Sequence, residues 1–441
     1  MLPSLWGRMA SCGGLSTRLL VLLVSLSAAY AQDTRTVTEP VIPPSCFVLT
    51  AKLSALIPGP RSLAAADEDS LDTNRIQKAL DACPKGQAVE LKADAAHDAF
   101  LSGPLDLRAG VTLRIDAKTI LFGSRDPRVY EVSPGSCGVV SPKGGGCRAL
   151  INGRNVAGAA VMGDGLIDGR GWAKLIGKDV SWWDLAEQAR AGGSQNCPRL
   201  MVLSRCDSFT LYHITMKNSP NFHVSYSGGN GFTVWGVVVD TPGKGARNTD
   251  AIDPSGSTNV TITRCYISTG DDNVAIKAGA HCSHMTIAHN HFYSGHGMSI
   301  GSETNGGADS IRVTDLSIDG ADNGLRIKSN SSKGGLVRDV VYRDVCIRNT
   351  RNPILMDSDY EHFGKAGNLV PVFTGIELHD VSVEGGGTVT LQGFDDQHRL
   401  EMMFDNVYLA GTTMVADYAD LKFGENGAPN ACKDKFVPMP R

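Results

Sequence analysis

A chain of 441 residues can bury a sizeable core, and single all-β domains of this length are common. Its formal charge of −4 gives no basic footprint for nucleic acid. Fifty glycines scattered among β-branched runs exclude a mainly helical protein and point to many short strands with tight turns.

Arg8 and Arg18 precede the apolar run Leu19 to Leu26, and Ala29-Tyr30-Ala31 follows it. That order matches a signal peptide at residues 1–31, cleaved near Ala31. The run is short for a bilayer span and no later stretch approaches it, so an exported chain without a membrane anchor is expected. Residues 32–44 are polar and Thr/Pro-rich and read as a flexible leader, with 45–441 as one domain.

Of the eleven cysteines only Cys12 falls in the expected signal peptide, and the even remainder is compatible with disulfides. Cys137 and Cys147 flank a Gly/Ser/Pro loop and form the first candidate pair; Cys46 and Cys83 form the second. Cys265 and Cys346 lie inside apolar strand-like runs, where a small free thiol is equally at home.

Ile76, Ala79, Leu80 and Cys83 recur at helical spacing, with Asp72 or Thr73 able to cap the start and Pro84 and Gly86 to end it. From Ala88 onward the spacing changes to alternation. Short runs start at Phe209, Phe232, Val260, Met285, Ile311 and Val340, with intervals of 23, 28, 25, 26 and 29 residues. A β-sandwich would alternate in the same way but would not need so steady a period. The pattern predicts a right-handed parallel β-helix, with the helix at residues 76–83 covering its first coil. The stretch Ser181 to Arg190 interrupts the period as an inserted loop, with Trp182 and Trp183 expected at a rim.

Four polar clusters fall about one coil apart: Asn248-Thr249-Asp250, Gly270-Asp271-Asp272, Gly295-His296-Gly297 and Arg326-Ile327-Lys328. Equivalent positions on successive coils stack about 4.8 Å apart, so the clusters form one column on an outer face. Three crowded carboxyls suit glycoside hydrolysis with inversion. One protonated carboxyl serves the leaving oxygen, while carboxylates activate water from the opposite side, and like-charge crowding raises one pKa.

These residues resemble the pectin-degrading glycoside hydrolases, the polygalacturonases, and the bacterial members most. The similarity extends to Asn218-Ser219-Pro220-Asn221, to Asn273-Val274-Ala275-Ile276-Lys277 and to Met298-Ser299-Ile300-Gly301-Ser302-Glu303. The resemblance implies Asp271 as general acid, Asp250 and Asp272 as the carboxylates that activate water, and His296 as support for the acid. It implies that Arg326 and Lys328 bind the sugar carboxylate, with Tyr360, Asn248 and Lys277 as further substrate contacts. The implied substrate is polygalacturonate, cut with inversion at α-1,4 bonds; no extra domain blocks the cleft in sequence, which favours endo attack, the reaction needs no cofactor and no metal, and a monomer is expected.

One departure is Ala251, which stands where the family usually has Gly. The cluster His281, Cys282, His284, His289 and His291 matches no zinc spacing and reads as surface histidines. Exo attack, a rhamnogalacturonan or xylogalacturonan hydrolase, a pectate lyase and a β-helical adhesin or carbohydrate-binding protein are the alternative functions.

Overall fold

Phe209, Phe232, Val260, Met285, Ile311, Val340 and Ile376, which mark the repeat in sequence, pair in register across successive parallel strands. All are buried, so each coil stacks one apolar side chain on the last. In the computed structural model, residues 32–56, 61–362, 364 and 366–440 are described. The expected signal sequence lies outside the described residues.

The strands form a right-handed parallel β-helix with two long sheets, one of nineteen strands and one of eleven. The eleven-stranded sheet carries the site. Its core-facing positions include Val224, Ile252, Val274, Met298, Leu325 and Ile354, all fully buried and in register.

Helix α1 (Thr73–Ala82) buries Ile76, Ala79 and Leu80. Asp72 stands at its N-cap, but the side chain does not cap. It accepts from Arg75 Nε at 3.0 Å and from the Leu101 amide at 3.3 Å instead. The Cys46–Cys83 disulfide ties the end of the helix to the first strand, and Cys137–Cys147 closes the loop between them. A third bond joins Cys346 to Cys432, so Cys346 is not a free core thiol, while Cys265 is free and buried.

Two expectations are corrected. Residues 32–44 are not a loose leader at their start: Asp33 accepts from Thr261 at 2.7 Å and its amide donates to Thr286 at 3.1 Å, while Arg35 pairs with Asp33. Outward-facing threonines of successive coils supply the partners. Trp182, in helix α2 (Trp182–Gln188), lines no rim. It is fully buried, edge-on to Tyr130 at 6.1 Å. Ala251 is buried with an ordinary backbone, since it is absent from the residues of positive φ, so its Cβ is tolerated.

The histidines are not gathered into one cluster. His281 faces Asp309, His289 faces Asp315 and His291 faces Ser317, while Cys282 is buried.

Candidate active site

The register that pairs Ile252, Val274 and Met298 also sets the residues two places earlier, Asp250, Asp272 and His296, on successive coils. Asp271 sits one residue before Asp272. Arg326 and Lys328 lie on the strand Asn323–Lys328, paired to Ser299 and Gly301 of the strand before it. Strand stacking thus brings together groups up to 78 residues apart, from Asp250 to Lys328.

Asp272 is buried and fully partnered. Arg326 Nη2 donates to Oδ1, Ser299 Oγ donates to Oδ1 at 2.9 Å, and Lys328 Nζ donates to Oδ2 at 3.2 Å. Burial alone would raise its pKa; the charges of Arg326 and Lys328 outweigh that and hold the carboxyl well below the usual range. The two cations thus favour the ionised form of Asp272.

Asp250 is as buried but has one close cation, Lys277, at 3.1 Å. Burial, with the negative charge of Asp271, pushes it up to about 7 in spite of Lys277. Asp253, three residues further along, lies 3.7 Å from the same ammonium. Neither of its buried oxygens has a hydrogen-bond partner, and burial drives its pKa well above the ordinary value.

Asp271 is the most open of the three clustered carboxyls. Its Oδ1 accepts from the Asp272 amide at 3.0 Å and stands 3.0 Å from Nδ1 of His296. Burial would lower the His296 pKa, but the hydrogen bond and charge of Asp271 raise it above the usual imidazole value.

These groups open into a cleft of about 880 Å³, lined also by Asn248, Lys277, Lys328 and Tyr360. Lys328 Nζ stands 5.2 Å over the Tyr360 ring. The Arg326 side chain is buried against Asp272, and bracing that carboxylate is the contact its geometry makes. Ligand atoms of Asp271, Asp272 and His296 come within 4.8 Å of one another. The cations already held by Asp272 make that donor set a poor one for a divalent ion.

Sequence reasoning missed Asp253 and Ser299. Both alternate with core residues on their strands (Ile252-Asp253-Pro254 and Met298-Ser299-Ile300), a signal that a polar side chain shares the face of the column.

The family model described as "Glycosyl hydrolases family 28" matches residues 83–417. An endo-polygalacturonase of Pectobacterium carotovorum subsp. carotovorum is 44% identical over 387 residues, covering 87% of this chain and 91% of that one. A polygalacturonase of Ralstonia nicotianae is 39% identical over 444 residues, covering 89% of this chain and 82% of the other. Among solved structures, the polygalacturonase from Erwinia carotovora ssp. carotovora superposes with a TM-score of 0.82 at 42% identity, covering 89% of this chain and 100% of that chain.

Proposed function

The chain belongs to the glycosyl hydrolases of family 28, and on that premise we propose that it is an exported endo-polygalacturonase. Its reaction is hydrolysis of the α-1,4 bond between galacturonate units with inversion, carried out by a single domain acting as a monomer. The observation that carries this is the column itself: an open carboxyl on an imidazole, beside two buried carboxylates held by cations, on one cleft wall.

In this account Asp271 gives its proton to the glycosidic oxygen as the carbon–oxygen bond breaks. Water attacks the anomeric carbon from the other side and passes its proton to Asp250 or Asp272. His296 holds Asp271 in place through the contact of its Nδ1 with Oδ1. Lys328, Tyr360 and Asn248 line the space that the sugar occupies, and Lys328 offers its ammonium to the sugar carboxylate. Three disulfides support export to an oxidising compartment after cleavage near Ala31.

One observation favours a second assignment within the same reaction. Burial pushes the pKa of Asp250 up to about 7, which suits a proton donor. A galacturonoside with an activated leaving group separates the two, since replacing the true acid costs least on a substrate that needs no proton.

The function is tested by digesting de-esterified polygalacturonate in chelator, following reducing ends, viscosity and absorbance from unsaturated products. Reducing ends that rise without that absorbance, with early loss of viscosity, support an endo-acting hydrolase. Unsaturated ends that form only when calcium is restored would instead identify a lyase.

A further inference from the structure

The strand register that stacks the catalytic column continues toward the N-terminus. Met201 pairs with Val224 and Val224 with Ile252, so Arg199 and Phe222 occupy the coil positions equivalent to Asp250. Backbone bonds extend that register beyond the strands: the Leu200 amide donates to Phe222 O at 3.0 Å and the His223 amide to Asp250 O at 2.8 Å. Arg199 therefore stands two strand spacings, about 10 Å, beyond Asp250 along the same column.

Both residues line the cleft. The Arg199 guanidinium lies over the Phe222 ring at 4.5 Å, and Lys277 Nζ approaches that ring at 5.1 Å. Arg199 is exposed, and its Nη1 donates to Ser225 Oγ at 3.1 Å. Among the described residues it has no carboxylate within ion-pair distance, in a chain where most arginines have one. Gln195, also on the cleft wall, has both amide atoms without a hydrogen-bond partner.

We propose that Arg199 and Phe222 form a remote sugar subsite, in which Phe222 supplies an apolar face and Arg199 pairs with the carboxylate of a galacturonate unit beyond the one being cut. The inference rests on the galacturonan reading of the catalytic site. A sugar ring seated at Asp250 does not span 10 Å, so only a longer chain engages Arg199. The subsite would make the enzyme prefer long substrates and fix where a short one is cut. A fork of guanidinium donors stacked on a ring is pre-organised for a planar carboxylate.

The test compares kcat/KM on galacturonate trimer and hexamer, and the cut positions in end-labelled hexamer, for wild type, Arg199→Gln, Arg199→Lys and Phe222→Ala. The hexamer-to-trimer ratio is expected to fall about tenfold or more in Arg199→Gln. Arg199→Lys should recover part of that loss, and the hexamer cut should move in both Arg199→Gln and Phe222→Ala. An unchanged ratio and cut pattern, or an equal loss on both lengths, would overturn the subsite. If wild type cuts neither oligomer, the galacturonan reading itself has failed, which is a different result.

Discussion

Arg326 and Asp272 meet across two coils, with both side chains buried and Nη2 of the arginine donating to Oδ1 of the aspartate. The same guanidinium donates from Nε to Ser299 Oγ at 2.9 Å, and Ser299 donates onward to Asp272. Removing Arg326 would leave a buried carboxylate with one remaining cation, Lys328. Arg326→Ala is expected to lower stability by about 3–5 kcal/mol in denaturant titration, the usual cost of breaking one half of a buried pair. It should also lower kcat/KM by about a hundredfold or more as Asp272 loses the guanidinium that positions it and favours its ionised form. Arg326→Lys should restore little, because one ammonium cannot reach both Ser299 and Asp272 as the planar fork does.

Asp271→Asn keeps the shape of the side chain and removes its proton. Turnover of polygalacturonate should fall by about a thousandfold, within the range for a general acid. Titration calorimetry with an oligogalacturonate should show affinity within a few-fold of wild type. Equal losses in binding and turnover would move Asp271 out of the chemical step.

His296 owes its raised pKa to Asp271 working against burial. In Asp271→Asn burial and the charge of Arg326 are opposed only by the more distant charge of Asp272, so the imidazole pKa, followed by NMR titration, should fall below the usual value near 6.5. The stabilisation tied to protonating His296 is fully present below the free value near 6.5 and is lost as pH rises through the raised folded value.

Much of this was legible in the chain. The residues that start each repeat proved to be one buried in-register ladder, because a solenoid writes its core directly into its period. Two of the disulfides joined nearby or obviously paired cysteines, whereas Cys346–Cys432 spans 86 residues and depends on how the tail folds back. The site residues could be listed from their clusters, but their partners could not. That Arg326 braces Asp272 follows from strand parity: position 326 pairs with Ser299, under Asp272. That Trp182 turns inward depends on the inserted helix packing against Tyr130, a contact with no local signature.

Asp250 and Asp253 flank one ammonium, and both carboxyls are raised by burial. A carboxyl whose folded pKa exceeds its unfolded value binds its proton more tightly in the folded chain. Stability therefore falls as pH rises from about 4, the free carboxyl value, through the folded pKa. Asp253→Asn removes that penalty. Its thermal midpoint should exceed that of wild type by a few degrees at pH 8 and match it near pH 4. A variant less stable than wild type at pH 8 would mean that the charge of Asp253 is needed to hold Lys277.

The central claim is that one carboxyl and one carboxylate-activated water act from opposite faces of the sugar in a single displacement. The most direct test is proton NMR of the newly formed reducing end during the first minutes of an oligogalacturonate digest, before mutarotation mixes the anomers. The account predicts that the β anomer appears first from the α-linked substrate. Initial release of the α anomer would mean a covalent double displacement and contradict it.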